Sequence, residues 1–195
     1  ISTTNCNVCE GKDEVGSAGL KDGGYTLAEA QEFMEAYRTE AKKRLRGSYS
    51  FQNALVQDGK CFDGTLNNCS AFSEWFVNRY TSAGPNISAY QGAQTVKNLL
   101  ALNKGFKNGG KVPRVYAVFS TGPFEGQADG WWNHTGIVLG IDQEKNQIII
   151  GEASCHNGFT DRYPAANVYD LKKWTNSPSA YGPTYAYTDD ILKGL

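Results

Sequence analysis

The chain has 195 residues, 19 of them basic and 20 acidic, with 40% apolar and 20% charged residues. This is ordinary globular composition for one domain, and a chain of this length buries roughly 70% of its unfolded surface, which argues against wholesale disorder. The cancelling charge removes the electrostatic case for nucleic acid or an anionic membrane surface, and no apolar run reaches the roughly 20 residues that span a bilayer.

The chain opens at Ile1 rather than a methionine, so it reads as a processed or trimmed fragment whose lack of a signal segment says nothing about compartment. Residues 1–24 are Gly-rich, show no sustained period, and are taken as an irregular N-terminal extension before a domain at 25–195. Thr26-Leu-Ala-Glu29 has the form of a capping box. Leu27, Ala30, Phe33, Met34, Tyr37, Ala41 and Leu45 follow at helical spacing, with Gly47 as the stop and Lys42 to Arg46 as a solvated basic end.

A second helix is expected from Cys69, capped by Asn67 or Asn68, with Phe72, Trp75, Phe76 and Tyr80 on one stripe. Val96, Leu99 and Leu100 predict a shorter helix closing near Gly105. Strands are predicted at 115–119, 135–141 and 147–151, with a further one at 184–187. Helices followed by an antiparallel sheet give an α+β order.

Five cysteines, Cys6, Cys9, Cys61, Cys69 and Cys155, leave at least one unpaired in a monomer: four can form two disulfides in any of three connectivities, and the alternative is five reduced, buried thiols. Only two histidines occur, His134 and His156, and Cys6-Asn-Val-Cys9 lacks a second pair at matching spacing, so a zinc site is not expected.

The polar turn Asp142-Gln-Glu-Lys-Asn146 joins two apolar strands. Pairing symmetric about Gln143 sets Val138 opposite Ile148, Gly136 opposite Ile150 and His134 opposite Glu152. Opposed residues have Cβ atoms about 4.5–5.5 Å apart, so a base and its orienting carboxylate meet at the open end of the hairpin. A slip of one residue would put Glu152 on the wrong face. Cys69, at a helix start, sits where the dipole and unpaired N–H groups favour a thiolate and can hold an oxyanion. Taken singly, each residue has a plain structural alternative: a buried cysteine, an edge histidine, a solvated strand end. Cys155-His156 is a rival pair, but neighbours on a strand point to opposite faces.

Together the segments carry a resemblance. Asn68-Cys-Ser-Ala-Phe-Ser-Glu-Trp75 resembles the opening of the catalytic helix of the CHAP family, Asn-His-Thr-Gly-Ile-Val-Leu-Gly140 its histidine strand, and Ile-Ile-Ile-Gly-Glu152 its acid-bearing strand. The likeness spans residues 50–155. It implies a papain-like α+β fold and a cysteine amidase or endopeptidase cutting amide bonds of bacterial peptidoglycan, with Cys69 as nucleophile, His134 as base and Glu152 as orienter. No cofactor is implied, and the related NlpC/P60 family is less well matched because its third residue is usually another histidine.

Many CHAP members carry Asn two residues after the acid; here Ser154 stands there, with Asn157 close by, and either is the candidate fourth polar residue. The usual Gly-Asp ahead of the middle strand is replaced by Pro113-Arg-Val-Tyr-Ala-Val-Phe119. Asn68, Trp131 and Trp132 would line the substrate cleft. The glycosylation patterns at Asn68, Asn86 and Asn133 are read as chance, because two would block that cleft.

On this reading the protein is a monomer, secreted or wall-associated, of bacterial or phage origin. An inhibitor protein or a separate wall-binding domain are its further candidate partners. The alternatives are a non-catalytic wall-binding module and a cysteine peptidase acting on proteins. A Cys61–Cys155 bridge would tie the helix entrance to the acid strand, stabilising by about 4 kcal/mol in the chain-entropy model, with Cys6 and Cys9 pairing locally. The competing arrangement leaves Cys155 a thiol or pairs it with the N-terminal extension.

Overall fold

Thr26 begins the first helix as the capping pattern requires. Its backbone N–H donates to Glu29 Oε2 at 2.8 Å, and Glu29 N–H donates back to Thr26 Oγ1 at 3.4 Å. Lys21 adds a donor to Oε1, and the hydrogen bond from Lys21 is the main reason the Glu29 carboxyl is held down at about 2. The computed structural model describes residues 19–45, 69–88, 92–122, 134–153, 164–176 and 182–195, with side chains through 39 in the first segment.

Helix α1 spans Leu27–Leu45 and buries Ala30, Phe33, Met34 and Tyr37. Leu27, assigned to the same face by periodicity, remains 38% exposed in the first turn. Helix α2, Cys69–Tyr80, buries Phe72, Phe76 and Tyr80, with Trp75 packed beside them on Tyr37 and Phe33. Helix α3, Thr95–Ala101, buries Val96 and Leu99 as the spacing predicts. Each fully buried aromatic or leucine removes enough apolar surface from water to contribute roughly 1.5–3 kcal/mol. These helices therefore adhere to the sheet through ring and aliphatic contacts.

The sheet has six antiparallel strands, β1 Lys107–Gly110, β2 Val118–Thr121, β3 His134–Asp142, β4 Gln147–Glu152, β5 Ala165–Asp170 and β6 Thr184–Tyr187. Their spatial order is β1-β6-β2-β3-β4-β5. Helix α1 lies over β5 and β4, α2 over β3, and α3 over β2 and β6. The main core fills that side, with Ile137, Leu139, Val118, Ile149 and Ala186 pointing into it. The opposite face carries Val138, Ile148, Ile150, Phe119 and Tyr185 and is covered by a short helix, α4, Leu171–Thr175, through Leu171 and Trp174. The α+β order expected from the sequence is the order found. Among the described residues no helix is long and apolar enough to cross a membrane.

Three sequence expectations are corrected. The predicted strand at 115–119 begins only at Val118, because Tyr116 adopts φ 64 in a turn. Its hydroxyl pins that turn by donating to Lys21 O at 2.6 Å and accepting from Lys21 N at 2.9 Å. Strands β1 and β5 were not anticipated. Lys-Asn-Gly-Gly110 reads as turn chemistry, and it becomes a strand because Gly109 lets the Tyr187 ring of the next strand lie against the backbone, within 2.1 Å of where a Cβ would stand.

The third correction is the hairpin register. Asp142 pairs with Gln147, Ile141 with Ile148 and Gly140 with Ile149, but beyond a bulge Val138 pairs with Ile150 and Ile137 with Gly151. The symmetric pairing about Gln143 does not occur. Pairing in the turn's own register would have set Glu152 on the face opposite His134. The extra residue Leu139 shifts the ladder by one and returns both to the same face. Its freed carbonyl accepts from Tyr25 N at 2.8 Å.

Gly140 makes this approach possible, since a Cβ there would stand 2.2 Å from Tyr25 O. Gly140→Ala is expected to destabilise by roughly 1–3 kcal/mol, as overpacked positions do, read as a lower midpoint in chemical denaturation. Gly19→Ala, whose nearest neighbour would be 3.8 Å away, should leave the midpoint near wild type.

Candidate functional site

Cys69 opens α2, His134 opens β3 and Glu152 closes β4, so three secondary structures bring their ends to one place. Cys69 is 9% exposed and carries its sulfur as a thiol. As the first residue of the helix it lies beside backbone N–H groups that have no intrahelical acceptor and carry the positive end of the dipole.

The helix is located against the histidine strand by a buried polar contact. Ser73, one turn beyond Cys69, has its Oγ 3.1 Å from Thr135 Oγ1, beside His134. Thr135 donates its own hydroxyl hydrogen to Phe119 O at 2.6 Å, so Ser73 is the donor to Thr135. Both side chains are fully buried. Such a bond contributes about 1 kcal/mol of net stability, and its directionality fixes one helix turn relative to one strand position.

His134 Nε2 lies 2.7 Å from Glu152 Oε2. The residues are not directly opposite, because Ile137 pairs with Gly151 and Glu152 falls at the level of Gly136. They are diagonal neighbours on one face, with Cβ atoms about 7–8 Å apart in such geometry, and the reach of the longer Glu side chain closes the gap. Gly136 between them leaves room for the Phe119 ring, which packs 5.9 Å from the imidazole. The carboxylate is 3% exposed and the imidazole 24%.

Glu152 has two further partners, both from β5. Asn167 Nδ2 donates to Oε1 at 2.8 Å, and the Tyr169 hydroxyl donates to the same oxygen. Glu152 pairs with Ala165 across β4 and β5, so Asn167 and Tyr169 lie two and four residues along on the same face. Sequence reasoning missed them because it missed β5. The available signal was the alternation in Ala-Ala-Asn-Val-Tyr-Asp170, with Ala166 and Val168 facing the core and Asn167 and Tyr169 facing away. Of the other sequence candidates, Asn68, Trp131, Trp132, Ser154, Asn157, Cys6, Cys9, Cys61 and Cys155 lie outside the described residues. So does the extension at 1–18; Gly19 and Leu20 dock on the body, Leu20 in the core and Gly19 through its carbonyl to the Tyr25 hydroxyl.

The electrostatics follow from these contacts. Burial by itself lowers the pKa of His134, but hydrogen bonds with Cys69 and Glu152 outweigh it and raise the imidazole from 6.5 to about 10. Burial likewise acts to raise Glu152, and the hydrogen bond and charge of His134, with Tyr169 and Asn167, hold it below 4.5. With Nε2 committed to Glu152, Nδ1 is the ring nitrogen available to Cys69. At neutral pH the arrangement sets the Cys69 sulfur against an imidazolium that is itself anchored by a buried carboxylate. Among the described residues no cluster of three or more His, Cys, Asp and Glu is placed to hold a metal ion.

A raised imidazole contributes stability that is complete below its unfolded value of 6.5 and is lost as pH rises through about 10. The depressed carboxyl contributes stability present above 4.5 and lost as pH falls through its lower folded value. Both contributions are complete between those limits, and the alkaline loss is spread over several units. NMR titration of the His134 ring should show a midpoint well above 6.5 in the wild type. Cys69→Ala and Glu152→Gln should each bring it down. A wild-type midpoint at or below 6.5 would remove the imidazolium.

No family model, no curated protein and no solved structure matches this chain.

Proposed function

We propose that the protein is a cysteine-dependent amidohydrolase or endopeptidase that cuts amide bonds of bacterial peptidoglycan. The observation that carries the chemistry is the continuous chain from the Cys69 thiol through the His134 imidazole to the 3%-exposed Glu152 carboxylate. A nucleophile at a helix N-terminus, a base bonded to it, and a buried group orienting the base are what thiol acyl transfer requires. The wall substrate and the papain-like CHAP fold rest on the likeness of the Cys69, His134 and Glu152 segments to that family. A nucleophile helix packed on the strand that carries the histidine, with the acid on the next strand, is compatible with such a fold.

In this mechanism the Cys69 thiolate, paired with the protonated His134, attacks the scissile carbonyl carbon, and the negative charge passes to the carbonyl oxygen. Backbone N–H groups at the start of α2 offer donors for that oxyanion. His134, protonated at the outset, gives its proton to the departing amine as the C–N bond breaks and a thioester remains. The neutral imidazole then takes a proton from water, whose oxygen displaces the thiolate and releases the acid. Glu152 stays ionised throughout, holding the ring in place and offsetting its charge.

Purified cell walls give the direct assay, by loss of turbidity and by mass analysis of the released fragments, with a denatured protein substrate run in parallel. Cys69→Ala and His134→Ala should abolish turnover, a fall of about 10⁴-fold or more. Glu152→Gln should retain activity between wild type and Cys69→Ala, because it keeps the alkyl stem and one hydrogen-bonding site. Wild-type turnover that survives in Cys69→Ala would sink the mechanism. Cleavage of the protein and not of walls would sink the substrate.

A further inference from the structure

A carboxylate buried to 3% exposure is expensive to keep ionised, and one imidazolium partner uses only one of its oxygens. The other oxygen is not left to water. Asn167 and Tyr169 both converge on Oε1, from adjacent positions of one face of β5. Tyr169 is itself held from behind, since its ring packs 4.8 Å from that of Trp174, and Trp174 Nε1 donates to the Tyr185 hydroxyl at 2.8 Å. Trp174 in turn meets Phe119 edge-on at 5.3 Å, and Phe119 lies under His134. On the far face of the sheet an aromatic cluster thus backs the two donors, Asn167 and Tyr169, that converge on one carboxylate oxygen.

We propose that Asn167 and Tyr169 are positioning residues of this site: by donating to Oε1 they hold Glu152 as an anion aimed at His134, and they set how far into acid the Cys69–His134 pair stays reactive. The inference deepens the thiol reading of the site and rests on it, but not on the identity of the substrate. Two donors on Oε1 leave Oε2 as the oxygen that faces the imidazole, so the carboxylate cannot rotate without breaking both bonds. Neutralising Glu152 would need one of those donors to turn away or the His134 bond to break, which opposes protonation. Among the described residues the titratable groups facing the carboxylate are His134 from β3 and Tyr169 from β5. Cys69 of α2 reaches it through His134, and Tyr185 of β6 through Trp174. Loss of the Tyr169 hydroxyl therefore removes a donor to the anion without removing a charge.

Two measurements on the intact chain test this. The first is the titration midpoint of the Glu152 side-chain carboxyl by carbon NMR, its resonance identified by Glu152→Gln. The second is the acid limb of Cys69 alkylation by iodoacetamide, read at Cys69 by peptide mass analysis. Tyr169→Phe should raise the carboxyl midpoint by about one pH unit, the usual scale for a lost hydrogen bond to a carboxylate, and should move the acid limb of alkylation upward in step. Asn167→Ser should do the same to a smaller extent, and keeps the test open if the tyrosine variant folds poorly. A purely structural role for the pair would lower thermal stability and leave both pH values where they are. An unmoved carboxyl midpoint in folded Tyr169→Phe overturns the proposal. So does a shifted midpoint with an unmoved acid limb. Failure to cleave walls with both shifts present would sink the hydrolase reading and leave these two roles standing.

Discussion

A buried carboxylate dictates much of what surrounds it. Glu152 sits at the end of β4 almost out of reach of water, where an ionised group without partners would cost several kcal/mol. The neighbouring strands supply what water would have supplied: His134 from one side at 2.7 Å, and Asn167 and Tyr169 from the other. The sheet order β3-β4-β5 is what makes this possible, because only the strand between two others can be solvated from both flanks by side chains. The same order leaves the imidazole at the edge of that network, where its remaining nitrogen can serve a thiol.

Register carries the constraint from the sheet to the site. Side chains alternate along a strand, so an odd error in pairing would turn Glu152 toward the helices and His134 away from it. The turn after Asp142 by itself produces that odd register, and the bulge at Leu139 cancels it. The bulge is stable because its carbonyl finds the Tyr25 N–H and because Gly140 allows that backbone to approach. Tyr25 also packs 5.4 Å from Phe33 of α1. The N-terminal helix thus helps to hold a kink some distance along the strand from His134.

A second constraint places Cys69. Apolar packing of Phe72 and Phe76 brings α2 onto the sheet, but apolar contacts slide easily along one another. The Ser73–Thr135 contact has direction, and it joins the turn after Cys69 to the residue after His134. The thiol and the imidazole are thereby set against each other by a bond that neither of them makes.

Much of this was legible without coordinates. Cys69, His134 and Glu152 were nominated through the likeness of their segments to a known family and a hairpin register that does not occur, whereas the capping box at Thr26, the stripe of α2 and the turn at Asp142 follow from local spacing and residue chemistry. Those properties act over a few residues and need no distant partner. The register of the hairpin, the identity of β1 and β5, and the donors Asn167 and Tyr169 were not legible. Lys-Asn-Gly-Gly110 is a strand only because Tyr187 lies against it, and Leu139 is a bulge only because Tyr25 takes its carbonyl. Sequence alone determined which residues are chemically capable; tertiary structure decided which of them meet, because strand pairing is settled by contacts between segments far apart in the chain.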